Sequence, residues 1–258
     1  MSGTGRQTTA LREQARSIIR TAVGADERDV VLFCGSGATA AIHQMIGVLG
    51  LRKQSDAVNE TSNPKKAVVF IGPYEHHSNE ISWRESTADV VVIDEDENGR
   101  VDLEQLETAL IEFADRPLKI GSFSAASNVT GIGSDTRAIA SLLHRYDALS
   151  FWDFAAAGPY VEIEMNMKDD REDGHLIYKD AIFLSPHKFI GGPGSTGVLI
   201  AKRNLFEGRK PSYPGGGTVD YVSRTDHVFS ENVVEREEAG TPNILACIKA
   251  GLVFQLKA

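Results

Sequence analysis

Two hydrophobic rhythms alternate along the chain. Leu11, Ala15, Ile18, Ile19 and Ala22 form a stripe at helical spacing and predict a helix from Leu11 to Val23. The apolar run Val30 to Phe33 predicts a buried strand, and Thr39 to Leu49 a second helix. Further strands are predicted at Ala67 to Ile71 and Val90 to Ile93. Asp102-Leu103-Glu104-Gln105 has the spacing of a capping box, opening a helix with Leu103, Leu106, Leu110 and Phe113 on one face. A strand at Leu118 to Phe123, a helix at Asp135 to Tyr146 and a strand at Ala148 to Trp152 continue the alternation. The runs Ala181 to Leu184 and Gly197 to Ala201 predict two more strands, and Ile244 to Leu256 a last helix. Continuous apolar strands separated by helices predict an α/β layer architecture with a mainly parallel sheet. Arg52 to Lys66 and Asp169 to Gly174 are polar and read as surface loops. Arg209 to Asn243 is rich in Gly, Pro and charge, and its length without clear periodicity suggests a functional loop, with a flexible linker as the alternative.

The 258 residues can bury a substantial core, as one large domain or two small ones. A formal net charge of −9 gives no basic footprint for nucleic acid and no polybasic patch for a membrane surface. No apolar stretch is long enough to span a bilayer, and Met1 to Gln7 holds no signal-peptide core. Two cysteines, Cys34 and Cys247, make neither a disulfide framework nor a zinc cluster; both lie in apolar patterns and read as packed thiols. The expectation is a soluble protein of a reducing compartment such as the cytoplasm.

Candidate chemistry concentrates at strand ends. Lys188 lies between the apolar runs Ala181 to Leu184 and Gly197 to Ala201, just before a glycine-rich turn. A lysine held between two buried strands is expected to be partly desolvated, which disfavours its charged form and leaves an amine able to attack a carbonyl. Such an amine suits a Schiff base, for which pyridoxal phosphate is the common partner. A solvated charge is the alternative. Gly35-Ser36-Gly37-Ala38-Thr39 sits between a strand and a helix, where free N–H groups and the helix dipole favour a phosphate, although such a turn can be only a turn. It lacks the Gly-Lys-Ser/Thr ending of a nucleotide P-loop. Asp153 follows a strand, at the carboxyl end where α/β sheets place ligands; a helix cap or a solvated loop aspartate is its alternative. His76 and His77 have no third or fourth ligand at a recognisable spacing, which argues against a metal. Ser127 and Asn128 could be turn residues.

Taken in order, these blocks resemble the class V aminotransferase family, which includes the NifS/SufS-like cysteine desulfurases. The resembling segments are Gly35 to Thr39, Glu75-His76-His77, Ser127 to Gly131, Trp152 to Ala155, Ser185-Pro186-His187-Lys188, Gly215 to Thr218 and Glu238 to Asn243, spread over nearly the whole chain. The resemblance implies the large domain of a fold-type-I pyridoxal phosphate enzyme, with residues 1–258 as the cofactor-binding domain. It implies Lys188 as the Schiff-base lysine, Asp153 as the anion on the pyridine nitrogen and His76 as the imidazole against the ring. Asn128 would meet the ring hydroxyl, and Ala38, Thr39, Ser185 and His187 the phosphate. Thr218 would reach the phosphate of a neighbouring subunit, which implies a homodimer. A small amino acid is the implied substrate.

Two departures qualify the parent activity. The desulfurase motif Asp-x-Ala-Gln reads Asp153-Phe154-Ala155-Ala156 here, and alanine cannot make the glutamine's hydrogen bond. The resemblance also places a nucleophilic cysteine and a carboxylate-gripping arginine in a C-terminal small domain, and an N-terminal arm before the first helix, neither of which is expected within these residues. Arg236 is the arginine that the long loop could supply instead. The resemblance still implies a cysteine desulfurase or a close relative as the parent activity, with Ala156 favouring a divergent branch of the family. The alternatives are another class V aminotransferase, epimerase or kynureninase-like lyase, and a non-catalytic cofactor-binding subunit that pairs with a complete homologue.

Overall fold

The computed structural model describes residues 2–53 and 66–258; most of the polar loop predicted over Arg52 to Lys66 lies outside them. Seven strands form one sheet: β1 (Asp29–Cys34), β2 (Val68–Ile71), β3 (Asp89–Val92), β4 (Lys119–Ser124), β5 (Leu149–Asp153), β6 (Ala181–Leu184) and β7 (Gly197–Lys202). Their order is β1-β7-β6-β5-β4-β2-β3. The pairs from β6 through β3 are parallel, whereas β7 runs antiparallel to both β6 and β1. Two reversals cancel, so β1 points the same way as β6. Six strands, β1 through β6, therefore release their chains at one end of the sheet. All the candidate blocks up to Lys188 sit on those exits.

β1, β2, β6 and β7 are buried on both faces, which is why they read as largely apolar runs. Successive side chains still alternate. Val31, Phe33, Phe70, Trp152 and Ile182 enter one core, together with residues of α1 (Gly3–Ala22), α4 (Leu103–Glu112), α5 (Thr136–Arg145) and α7 (Ile244–Lys257). Val30, Leu32, Val69, Phe151 and Phe183 enter the other, under α2 (Gly37–Val48) and α3 (His77–Arg84). Each large side chain buried this way contributes about 1.5–3 kcal/mol.

Helix starts follow the local chemistry. Asp102 caps α4, accepting the N–H groups of Glu104 and Gln105 at 2.9 and 3.0 Å. The return half of the predicted capping box is not made: the Gln105 amide turns to Asp94 instead. Of the predicted α4 face, Leu106 and Leu110 are buried, while Leu103 is exposed at the first turn. The stretch 209–243 is not structureless. It holds a hairpin of β8 (Val219–Val222) and β9 (His227–Phe229) and a short helix, α6 (Val233–Glu237).

α1 and α7 cross at Gly251. A Cβ built there would lie 2.5 Å from both Cα and Cβ of Ala15. Gly251→Ala gains about 1 kcal/mol of helix propensity. Parting two packed helices costs about 1–3 kcal/mol, so net destabilisation is expected in urea unfolding. A variant more stable than the parent would show that the crossing is loose.

Candidate active site

The exit of β1 builds an anion cradle. Ser36 ends the extended stretch, Gly37 takes φ +59°, and α2 begins, leaving its first N–H groups directed out of the sheet end. The Ala38 N–H donates to the Ser185 hydroxyl at 2.9 Å. A Cβ on Gly37 would meet His187 Cε1 at 2.5 Å and Ser185 Oγ at 2.7 Å. The phosphate-loop backbone and the Ser185–His187 segment are thus in contact, and only glycine allows it. Burial and the neighbouring Lys188 charge push the His187 imidazole pKa down, favouring a neutral ring.

Lys188 ends a 3₁₀ turn, Pro186–Lys188, that follows β6 directly. The structure corrects the expectation that this lysine is desolvated: Lys188 is exposed. The turn carries it past the strand end, so the two flanking strands bury Leu184 and Val198 but not the lysine. Its charge acts on Asp153, the last residue of β5, which is only 4% exposed. Burial raises the Asp153 pKa, while the Ala155 N–H, donating at 2.7 Å, and the charges of Lys188 and His76 oppose that rise. The helix-cap alternative for Asp153 is not realised, since no helix follows it.

His76 is the N-cap of α3: its Nδ1 accepts the Ser78 N–H at 3.1 Å. The Ser78 hydroxyl lies 3.0 Å from the same nitrogen and 2.7 Å from the Thr39 hydroxyl. Ser78, which sequence reasoning missed, therefore links His76 to the phosphate loop. It stands two residues after the histidine, the offset of a cap, and that spacing could have pointed to it.

Two candidates stand apart. Asn128 is exposed in the turn from Ser127 to Gly131 after β4; the buried Ser127 hydroxyl accepts the N–H groups of Val129 and Thr130, both at 3.2 Å. Among the described residues no hydrogen bond ties Asn128 to the other candidates. Thr218 is fully buried, and its hydroxyl donates to the Gly215 carbonyl at 2.7 Å. The outward reach expected of Thr218 is thus not its arrangement here. Arg236 is likewise engaged, donating to the carbonyls of Ser230 and Phe206 at 3.3 and 2.8 Å. It is not a free carboxylate clamp.

The donor set fits pyridoxal phosphate: an N-terminal helix cradle, a buried carboxylate for a protonated ring nitrogen, an imidazole and an exposed amine converge at one sheet end. Both cysteines are buried, and burial raises their pKa values, that of Cys247 to about 11. They are packed thiols, as expected. Among the described residues no cluster of His, Cys, Asp or Glu could hold a metal, and no helix is long and apolar enough to cross a membrane.

Fold and site together define a fold-type-I pyridoxal phosphate protein. The aminotransferase class-V family matches residues 1–257, and the chain belongs to that family. It is 31% identical over 245 residues to a probable cysteine desulfurase of Haemophilus influenzae, covering 93% of this chain and 50% of that protein. Against a probable cysteine desulfurase of Pasteurella multocida the identity is 29% over 252 residues, covering 96% and 54%. Among solved structures, the apo cysteine desulfurase of Thermococcus onnurineus superposes with a TM-score of 0.77 at 23% identity, covering 98% of this chain and 57% of that one. The Escherichia coli cysteine desulfurase CsdA gives 0.75 at 22%, covering 99% and 59%. The chain spans about half the length of the curated relatives it matches.

Proposed function

We propose that this chain is the cofactor-holding part of a cysteine desulfurase-like enzyme. The convergence of Lys188, Asp153 and His76 beside the Ala38–Ser185 cradle carries the reading. Bound there, pyridoxal phosphate supplies an electron-withdrawing ring that stabilises charge at the α-carbon of an amino acid. Ala38 N–H, Thr39, Ser185 and His187 would hold the phosphate. His76 would lie against the ring, Asn128 near its hydroxyl, and Asp153 would keep a proton on the ring nitrogen. The exposed Lys188 amine would anchor the aldehyde and move the proton at the α-carbon. Cys34 and Cys247 are too buried and too weakly acidic to accept sulfur, so the accepting thiolate and the arginine for the substrate carboxylate would come from outside these residues. Residues 1–258 would then act as a large domain, and a second copy or a partner subunit, approached by the Thr218 loop, would complete the assembly. Ala156 favours a second reading, another class V transferase or lyase; product analysis with cysteine against other amino acids separates the two.

Borohydride reduction of the chain loaded with pyridoxal phosphate is expected to fix the cofactor on Lys188, as read by peptide mapping. Lys188→Ala should lose the covalent adduct completely while retaining some cofactor through the cradle. An adduct on another lysine, or none, would overturn the assignment.

A further inference from the structure

Glu75 precedes His76 and has no part in the reading above. Its Oε1 accepts the N–H groups of Ser124 at 2.9 Å and Gly72 at 3.3 Å. Its Oε2 accepts from the Asn79 amide at 2.7 Å and the Ser124 hydroxyl at 2.6 Å. These four donors come from the exits of β2 and β4 and the first turn of α3. Ser124 is the register partner of Asp153 on the adjoining strand, so the two side chains share one face of the sheet. Burial is the main cause that raises the Glu75 pKa, to about 7; Ser124 and Asn79 pull it down, and the Asp153 charge pushes it up. From β2, β4 and α3 the carboxylate meets only uncharged groups, Gly72, Ser124 and Asn79. The charge facing it comes from Asp153 on β5, which is itself faced by Lys188 and His76.

We propose that Glu75 is a positioning residue of the cofactor site, clamping the exits of β2 and β4 so that His76 and Asp153 face one ring, and releasing a proton to solvent when a cation seats on Asp153. The inference rests on the cofactor site proposed above. In the free chain two neighbouring buried carboxylates repel, and below neutral pH Glu75 holds a proton on Oε2, which then donates to the Ser124 hydroxyl instead of accepting from it. A protonated pyridine nitrogen on Asp153 replaces that repulsion with attraction, and Glu75 ionises. A proton released on binding makes affinity rise with pH up to the free-chain pKa of Glu75 and level above it. Glutamine at position 75 has no such proton to release.

The probe is 4′-deoxypyridoxine 5′-phosphate, which keeps the pyridine nitrogen and the phosphate but has no aldehyde, so covalent attachment to Lys188 does not enter. Its affinity is measured across pH for the chain, for Glu75→Gln and for Asp153→Asn. The ratio of parent to Glu75→Gln affinity is expected to climb about tenfold, one pKa unit of coupling, and to level above the free-chain pKa. Asp153→Asn should abolish the climb. A flat ratio, with binding still sensitive to Asp153→Asn, overturns the role of Glu75 and leaves the cofactor site standing. No binding by the parent chain, or binding indifferent to Asp153→Asn, overturns the site and this inference together. If Glu75→Gln does not fold, infrared spectroscopy of the parent decides: a protonated-carboxyl band is expected in the free chain just below neutral pH and should vanish on probe binding. Its persistence overturns the proposal.

Discussion

Replacing Glu238 with alanine is expected to destabilise the fold by about 3–5 kcal/mol, the usual result of stripping a buried charge of its partner. Arg16 on α1 is 4% exposed, and its two terminal nitrogens donate to the Glu238 carboxylate at 2.7 and 3.1 Å. Glu238 Oε1 also accepts the N–H of Phe33 at 2.7 Å, so the substitution orphans a strand donor as well. Losing that partner alone costs about 1–3 kcal/mol. Arg16 keeps the Val31 carbonyl at 2.5 Å and the half-exposed Glu13 at 3.0 Å, which temper the loss without replacing a buried bidentate partner. Urea unfolding measures the effect. The double change Arg16→Met with Glu238→Ala should recover much of it, because no charge is then left buried. A single-variant loss under about 1 kcal/mol would mean that the pair is solvated in practice.

Gly197→Ala should damage stability and cofactor affinity together. A Cβ there would lie 2.3 Å from the Gly37 carbonyl oxygen and 2.7 Å from its C and N atoms. Backbone, unlike a side chain, has no rotamer to retreat into, and Gly37 is already held at φ +59°. The β1 exit must move away from the start of β7, at a cost of about 2–4 kcal/mol. The N–H groups of the cradle move with it, so affinity for pyridoxal phosphate should fall by about tenfold or more, as when one charge-assisted contact is lost. Phosphate-dependent binding unchanged in a folded variant would show that the loop is not the phosphate site.

How much of this was legible beforehand depends on where each residue finds its partners. The apolar runs of β1, β2, β6 and β7 announced themselves, because a strand buried on both faces has no polar positions. α3 did not. Its buried residues are Asn79, Ser82 and Trp83, and Asn79 is satisfied by Glu75 and the Ser122 carbonyl, so polar side chains fill positions a hydrophobic stripe would mark. The hairpin of β8 and β9 is mostly exposed and carries no inward-facing alternation to read. The direction of β7 is also invisible locally, since an apolar run reads the same either way. At the site, the motifs placed Lys188, Asp153, His76 and Ala38 at one end of the sheet. They could not show that Lys188 is exposed, that Thr218 closes on its own turn, or that Glu75 finds its partner Ser124 49 residues away.

Among the described residues β1 pairs only with β7, joining Asp29 to Lys202 and Cys34 to Gly197. The phosphate loop hangs from a strand made early in synthesis whose sheet neighbour emerges more than 160 residues later. Contacts so distant along the chain are slow to form, because a long loop must close before they repay its entropy. On the ribosome the parallel core of β2, β3, β4 and β5 can assemble while β1 waits with both edges unpaired. The β1 exit is thus the last part of the sheet to be closed, and the cradle proposed for pyridoxal phosphate exists only on a chain that has already been translated past Lys202.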